Sequence, residues 1–168
     1  MRRLRETELA LSVEVEQEVP FHDADPMGVT WHGNYFRYLE TARSALLRRI
    51  GYDYAQMTAS GYSFPVVDAR VKYVKPTTFG SRLNIKATLE EYENRLKIAY
   101  VITDCGSGDA VTTASTTHAA VRADSGELCF RSPQVLIDKV AACLAAQRRT
   151  KRRLPSRVGA RRTAGPRK

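Results

Sequence analysis

The segment Phe21-His-Asp-Ala-Asp-Pro-Met-Gly-Val-Thr-Trp-His-Gly-Asn-Tyr35 holds two carboxylates, two histidines, a proline, two glycines and a tryptophan in fifteen residues. Its flanks decide how it is read. Before it, residues 11–20 alternate apolar and polar, with Leu11, Val13 and Val15 on one face, as in a half-buried strand ended by Pro20. After it, Tyr35, Leu39, Ala42, Leu46 and Ile50 recur at three- and four-residue steps, with Tyr38 and Ala45 widening the stripe. Arg37, Arg43, Arg48 and Arg49 fall on the opposite face. The spacing predicts a helix of about sixteen residues, with Asn34 as N-cap and Gly51 just past its end. A polar, glycine-punctuated loop that feeds a helix N-terminus sets carboxylates beside free backbone N–H groups. Such a loop can stabilise negative charge that develops during a reaction.

The rest of the chain supplies a sheet. A short helix is expected around Asp53–Ser60, stopped by Gly61. Residues 62–75 place Val67, Ala69, Val71 and Tyr73 on one face, and Pro65 puts the start of this strand at a sheet edge or bulge. Residues 82–92 and 95–104 alternate strictly, with Leu83, Ile85, Ala87 and Leu89 on one face of the first and Leu96, Ile98, Tyr100 and Ile102 on one face of the second. Residues 110–124 form a Thr/Ala/Val run weak in bulky groups, as expected of a strand covered on both faces. Residues 133–147 read as a helix striped by Leu136, Val140 and Leu144. The class is therefore α+β: one strand, a loop, a long helix, then about four antiparallel strands. One helix shields one face of such a sheet, so a homodimer or homotetramer is expected to cover the rest.

Composition narrows the function classes. The 168 residues are 43% apolar and 27% charged, which suits one globular domain. No apolar run reaches membrane-spanning length, and the basic N-terminus lacks the apolar core of a signal peptide, so the expected location is cytoplasmic. Cys105, Cys129 and Cys143 are scattered, which argues against a disulfide framework or a zinc site. No cofactor or metal is implied. The formal net charge of +9 is uneven: residues 148–168 carry ten Lys and Arg and no acid, leaving residues 1–147 at −1. The chain thus divides into a domain over 1–147 and a basic tail over 148–168, for which the composition predicts disorder. The tail has no aromatic interleaving or recognised nucleic-acid motif, so a nucleic-acid partner is not expected.

The loop resembles the active-site segment of the 4-hydroxybenzoyl-CoA thioesterase-like family of acyl-CoA thioesterases. Asp23, Asp25, Gly28, Val29, Trp31, His32 and Tyr35 occupy the family's pattern, while Thr30 fills a slot that is usually apolar. The Gly51-Tyr-Asp-Tyr54 exit and the run from Phe64 to Thr77 also resemble that family. The resemblance spans roughly residues 11–146. It implies the hotdog fold, a long central helix wrapped by a curled five-stranded antiparallel sheet. It also implies hydrolysis of acyl-CoA thioesters to free acid and CoA.

Site roles follow from the same resemblance. Asp25 would be the catalytic carboxylate, acting as nucleophile or as general base on water. His32 would give its backbone N–H to the thioester oxygen, and its imidazole would touch substrate or orient the carboxylate. Gly28 and Gly33 would let backbone approach the substrate, Trp31 and Tyr35 would line the acyl pocket or core, and Asn34 would cap the helix or contact substrate. Asp23 reads as a structural acceptor, His22 as a loop residue, and His118 as structural. Glu40, on the helix, is the alternative carboxylate, because other hotdog subfamilies use one there. The carrier is anionic, either coenzyme A or the phosphopantetheine arm of an acyl carrier protein, and Arg70, Lys72, Lys75 and Arg82 are candidates for a basic rim. The alternatives are a thioesterase for carrier-protein-bound chains and a non-catalytic acyl-binding module.

Overall fold

The computed structural model describes residues 11–153. One long helix lies against the main sheet. It runs over Tyr35–Ile50 (α1), and Gly51 follows in the left-handed region at φ 73°, its N–H returning to the carbonyls of Arg48 and Leu47. That geometry favours glycine, since a side chain there meets the preceding carbonyl. Tyr35, Tyr38, Leu39, Ala42, Leu46, Leu47 and Ile50 are buried. A second helix over Tyr54–Ala59 (α2) starts at a capping box between Asp53 and Gln56.

The main sheet contains Ser12–Glu18 (β1), Val66–Tyr73 (β3), Arg82–Glu91 (β4), Leu96–Asp104 (β5) and Ala110–His118 (β6). Their order is β1-β4-β5-β6-β3, with every neighbour antiparallel. The alternation in β4 and β5 turns Leu83, Ile85, Ala87, Leu89, Leu96, Ile98, Tyr100 and Ile102 inward, and α1 lies against β1 and β4. Each large side chain removed from water contributes about 1.5–3 kcal/mol. The helix Gln134–Arg153 (α3) packs Leu136 and Val140 into the same core and touches α1. No helix among the described residues is long and apolar enough to cross a membrane.

Four expectations change. The strand expected over 62–75 is two: Tyr62–Ser63 (β2) and β3, separated at Pro65, which has no N–H to donate. The run over 110–124 leaves the main sheet at Ala119, whose N–H bonds the Pro65 carbonyl at 3.3 Å. It continues as Ala120–Arg122 (β7), which pairs with β2 and with Leu128–Cys129 (β8) in a second, three-stranded sheet. Asn34 stands at the N-cap position of α1 but its side chain makes no capping bond: its backbone is already helical at φ −69°, ψ −23°, and a 3-10 turn over His32–Asn34 leads into α1. Finally, Arg43 is not on the solvent face but 8% exposed. The reason is a set of acceptors that surrounds its guanidinium, from buried His118 to the exposed Glu40 and Tyr54. Arg43 bonds Glu40 through Nε at 2.9 Å and Nη2 at 2.7 Å, His118 Nδ1 at 3.0 Å, and Tyr54.

The two sheet edges differ. On β1, Glu14 forms an ion pair with Lys86 directly across from it and Glu16 forms one with Arg82 diagonally, an edge guarded by charge. On β3, Val66, Val67 and Tyr73 are exposed, and a bulge falls between Val66 and Asp68. Helix α3 carries the backbone through Arg153, six residues into the basic segment, and the tail expectation for residues 154–168 lies outside the described residues.

Candidate active site

Residues 24–30 form a tight hairpin closed by an antiparallel bridge between Ala24 and Thr30. The Asp25 N–H donates to the Val29 carbonyl at 2.8 Å, and the Gly28 N–H donates to the Asp25 carbonyl at 2.9 Å. Gly28 sits at φ 78°, a turn position that a side chain would strain. One carboxylate oxygen of Asp25 accepts the Met27 N–H at 2.8 Å; the other accepts no hydrogen bond among the described residues. Asp25 is half-buried in this hairpin; on the same loop Met27 is exposed and Trp31 half-exposed.

Asp23 has a different environment. It is 1% exposed. Its carboxylate accepts the Tyr38 hydroxyl at 2.5 Å and the Arg37 guanidinium, both from the first turns of α1. Its carbonyl accepts the Trp31 N–H at 2.8 Å and the Asn34 side-chain N–H at 3.1 Å. Burial, and next its hydrogen bond to Asp23, push the Tyr38 hydroxyl well above the ordinary tyrosine range, so this bond keeps its proton on Tyr38. Asp23 thus ties the loop to the helix, and the Asn34 amide is spent on the same tie.

At the helix mouth, the backbone N–H groups of His32 and Gly33 meet no protein acceptor among the described residues, as the first donors of a helix commonly do. The His32 imidazole is exposed, with its ring 5.1 Å from Trp31 and 6.3 Å from Tyr73. The Tyr73 hydroxyl donates to the His32 carbonyl at 2.9 Å. Tyr35 is 3% exposed, and its hydroxyl lies 2.9 Å from that of Thr77. The space left by Gly33 is filled by the Trp31 indole: a Cβ on Gly33 would come within 2.2 Å of the ring. Gly33→Ala is therefore expected to displace Trp31 and cost about 1–3 kcal/mol. Trp31 is the protein's single tryptophan, so an unchanged fluorescence emission spectrum would contradict this placement.

Glu40 is elsewhere on α1, in a cluster with Arg43, Tyr54 and His118. Beside Tyr54 lies a cleft of about 270 Å³ lined also by Met57, Thr58, Tyr62, Ser63, Phe64 and Pro65, to which no residue of the Asp25 hairpin contributes. Of the basic candidates, Arg70 pairs with Asp68 at 3.4 Å, Lys75 with Asp109 at 2.7 Å and Arg82 with Glu16 at 2.7 Å; all are exposed pairs. Among the described residues no cluster of His, Cys, Asp and Glu is arranged to hold a metal ion.

Thr77 and Tyr73 lie in the run from Phe64 to Thr77 that carries part of the resemblance, but nothing local in the sequence gives either a role at the site. The available signal was Thr30, a hydroxyl in a slot where the pattern is apolar.

A family model described as the thioesterase-like superfamily matches residues 19–153. The chain belongs to that superfamily. A putative esterase of Synechocystis is 33% identical over 124 residues, covering 73% of this chain and 75% of its own length. The putative acyl-CoA thioesterase YneP of Bacillus subtilis is 35% identical over 85 residues, 51% of this chain and 61% of its own. A solved DHNA-CoA thioesterase from Staphylococcus aureus superimposes with TM-score 0.71 at 28% identity, over 84% of this chain and 94% of that one. This superfamily member is a thioester hydrolase with the hotdog fold, as the loop's resemblance implied.

Proposed function

We propose that the protein hydrolyses acyl-CoA thioesters with Asp25 as the reacting carboxylate and the mouth of α1 as the oxyanion donor. The observation that carries this reading is that one loop holds both a carboxylate with an oxygen free and N–H groups, at His32 and Gly33, without a protein acceptor among the described residues. As general base, Asp25 takes a proton from water while the oxygen attacks the thioester carbon. As nucleophile, it attacks that carbon itself, and water then cleaves the resulting anhydride. In both routes the carbonyl oxygen becomes an anion facing the helix N-terminus, and the C–S bond breaks to release CoA as thiolate, which then takes a proton. Exposed Met27 and half-exposed Trp31 supply apolar surface on the same loop.

The homodimer forms in this reading through β3, whose exposed Val66 and Val67 and unpaired backbone edge suit a second copy of the same strand. Tyr73 on that strand reaches the helix mouth, so a partner would lie beside the site. Sedimentation is expected to show a dimer or a larger assembly; a monomer at micromolar concentration would contradict this.

The test of function is thiol release from short, medium and aromatic acyl-CoAs, each against the matching acyl carrier protein. Turnover of a CoA thioester at equal or greater kcat/KM supports the reading. A strong preference for the carrier-bound form would replace it with the carrier-protein thioesterase, and binding without turnover of either would leave an acyl-binding module.

A further inference from the structure

We propose that residues 73–77 are a clamp on the catalytic loop, with the hydroxyls of Thr77 and Tyr73 as positioning groups; this rests on the reading of Asp25 as the reacting carboxylate. Thr77 is 3% exposed and Thr30 5%. Their hydroxyl oxygens are 2.7 Å apart, and the Thr77 hydroxyl is 2.9 Å from that of Tyr35. The Thr77 carbonyl accepts the Thr30 N–H at 2.8 Å and lies 3.2 Å from the Thr30 hydroxyl. All three hydroxyl protons find an acceptor when Tyr35 donates to Thr77, Thr77 to Thr30, and Thr30 to the Thr77 carbonyl. One residue thereby joins the closing residue of the Asp25 hairpin to the first residue of α1.

Four residues earlier, Tyr73 holds the other side. Its hydroxyl bonds the His32 carbonyl, and its ring stands edge-on to Tyr35 with centroids 5.2 Å apart. The segment therefore grips the loop at residues 30, 32 and 35, around the unpaired N–H groups of His32 and Gly33. Among the described residues the Asp25 hairpin has few other anchors. There its carboxylate is tied only within the loop, and Thr30 is bridged to Ala24, so a shift of Thr30 moves the chain on both sides of Asp25. A buried hydroxyl is costly without a partner. Thr30 in a usually apolar slot thus makes sense only with Thr77 facing it.

A displacement of about 1 Å at a reacting group can cost on the order of 10² in rate. Thr77→Val keeps the shape and the carbonyl and removes the hydroxyl. It is expected to lower kcat about 10-fold or more on whichever acyl-CoA is turned over best, with KM changed less than about 2-fold. Thr77→Ser restores kcat, because the hydroxyl alone carries the effect. Tyr73→Phe, at an exposed ring, removes the grip on His32 without opening a cavity and lowers kcat on its own should Thr77→Val fail to fold. The double variant loses less than the product of the single losses, since both act through one loop. A Thr77→Val protein with a lower melting temperature but wild-type kcat overturns the clamp, as does Thr77→Ser that fails to rescue, or Tyr73→Phe at full rate. Asp25→Asn, measured alongside, separates the two ideas. If it is inactive while Thr77→Val is fully active, the clamp alone falls; if it is active, the reading beneath the clamp falls and the clamp with it.

Discussion

Asp25→Asn is expected to lower kcat for thioester hydrolysis by about 10²–10⁴ while leaving KM and melting temperature close to wild type. The substitution removes little besides the chemistry. The amide oxygen of Asn can still accept the Met27 N–H that holds the Asp25 carboxylate at 2.8 Å, and the backbone bonds of Asp25 to Val29 and Gly28 are untouched. What goes is the charge and the free oxygen, the atom that would take a proton from water or attack the thioester. The mouth of α1 would remain intact, so residual activity above the uncatalysed rate belongs to oxyanion stabilisation and binding. The neighbouring carboxylate gives the contrast. Asp23 is buried against Tyr38 and Arg37, so Asp23→Asn would act first on stability. Turnover by Asp25→Asn at the wild-type rate, measured as released thiol, would refute the assignment.

The parts of this site differ in how far the sequence announces them. The hairpin and α1 are written locally: Asp-Pro and Gly28 make a turn, a 3.6-residue stripe makes a helix, and Gly51 ends it. The alternating β4 and β5 are equally plain. Arg43 shows the limit of that reasoning. Periodicity assigns a residue to a helix face, but whether a charge can go inward depends on acceptors distant in sequence, here His118 on β6 and Tyr54 beyond the helix. The same holds for Thr30, whose partner Thr77 is 47 residues away. Strands of two residues such as β2 and β8 have no period to detect, so the second sheet is invisible until its pairings are known. Gly33 was expected to admit a substrate. Only the structure shows that the Trp31 ring lies over it.

Acidification should destabilise the protein by up to about 3 kcal/mol between pH 6.5 and 4 through His118 alone. This histidine is fully buried. Arg43 donates to its Nδ1 at 3.0 Å, and a guanidinium has no acceptor, so in the neutral ring Nδ1 carries no proton; the Phe64 carbonyl, 3.3 Å from the same nitrogen, can accept only from the charged ring. The proton sits on Nε2, 2.9 Å from the Thr116 hydroxyl, which lies 3.0 Å from the Tyr100 hydroxyl. Burial, then the Arg43 charge, lowers the His118 pKa to about 4, and the Phe64 carbonyl and Glu40 offset this only in part. Tyr100, pushed up to about 12 by burial, stays neutral throughout. In the unfolded chain an ordinary histidine titrates near 6.5. The folded pKa is the lower one, so the fold favours the neutral ring. That contribution is complete above about pH 6.5 and is lost as the pH falls toward 4, where both states bind the proton. Carboxylates titrate in the same window, so the measurement is a difference: denaturant midpoints of wild type and His118→Gln at pH 7, 5.5 and 4.5. The wild-type advantage should shrink steadily across these points. An advantage that stays constant from pH 7 to 4.5 would mean that His118 is not held neutral by Arg43.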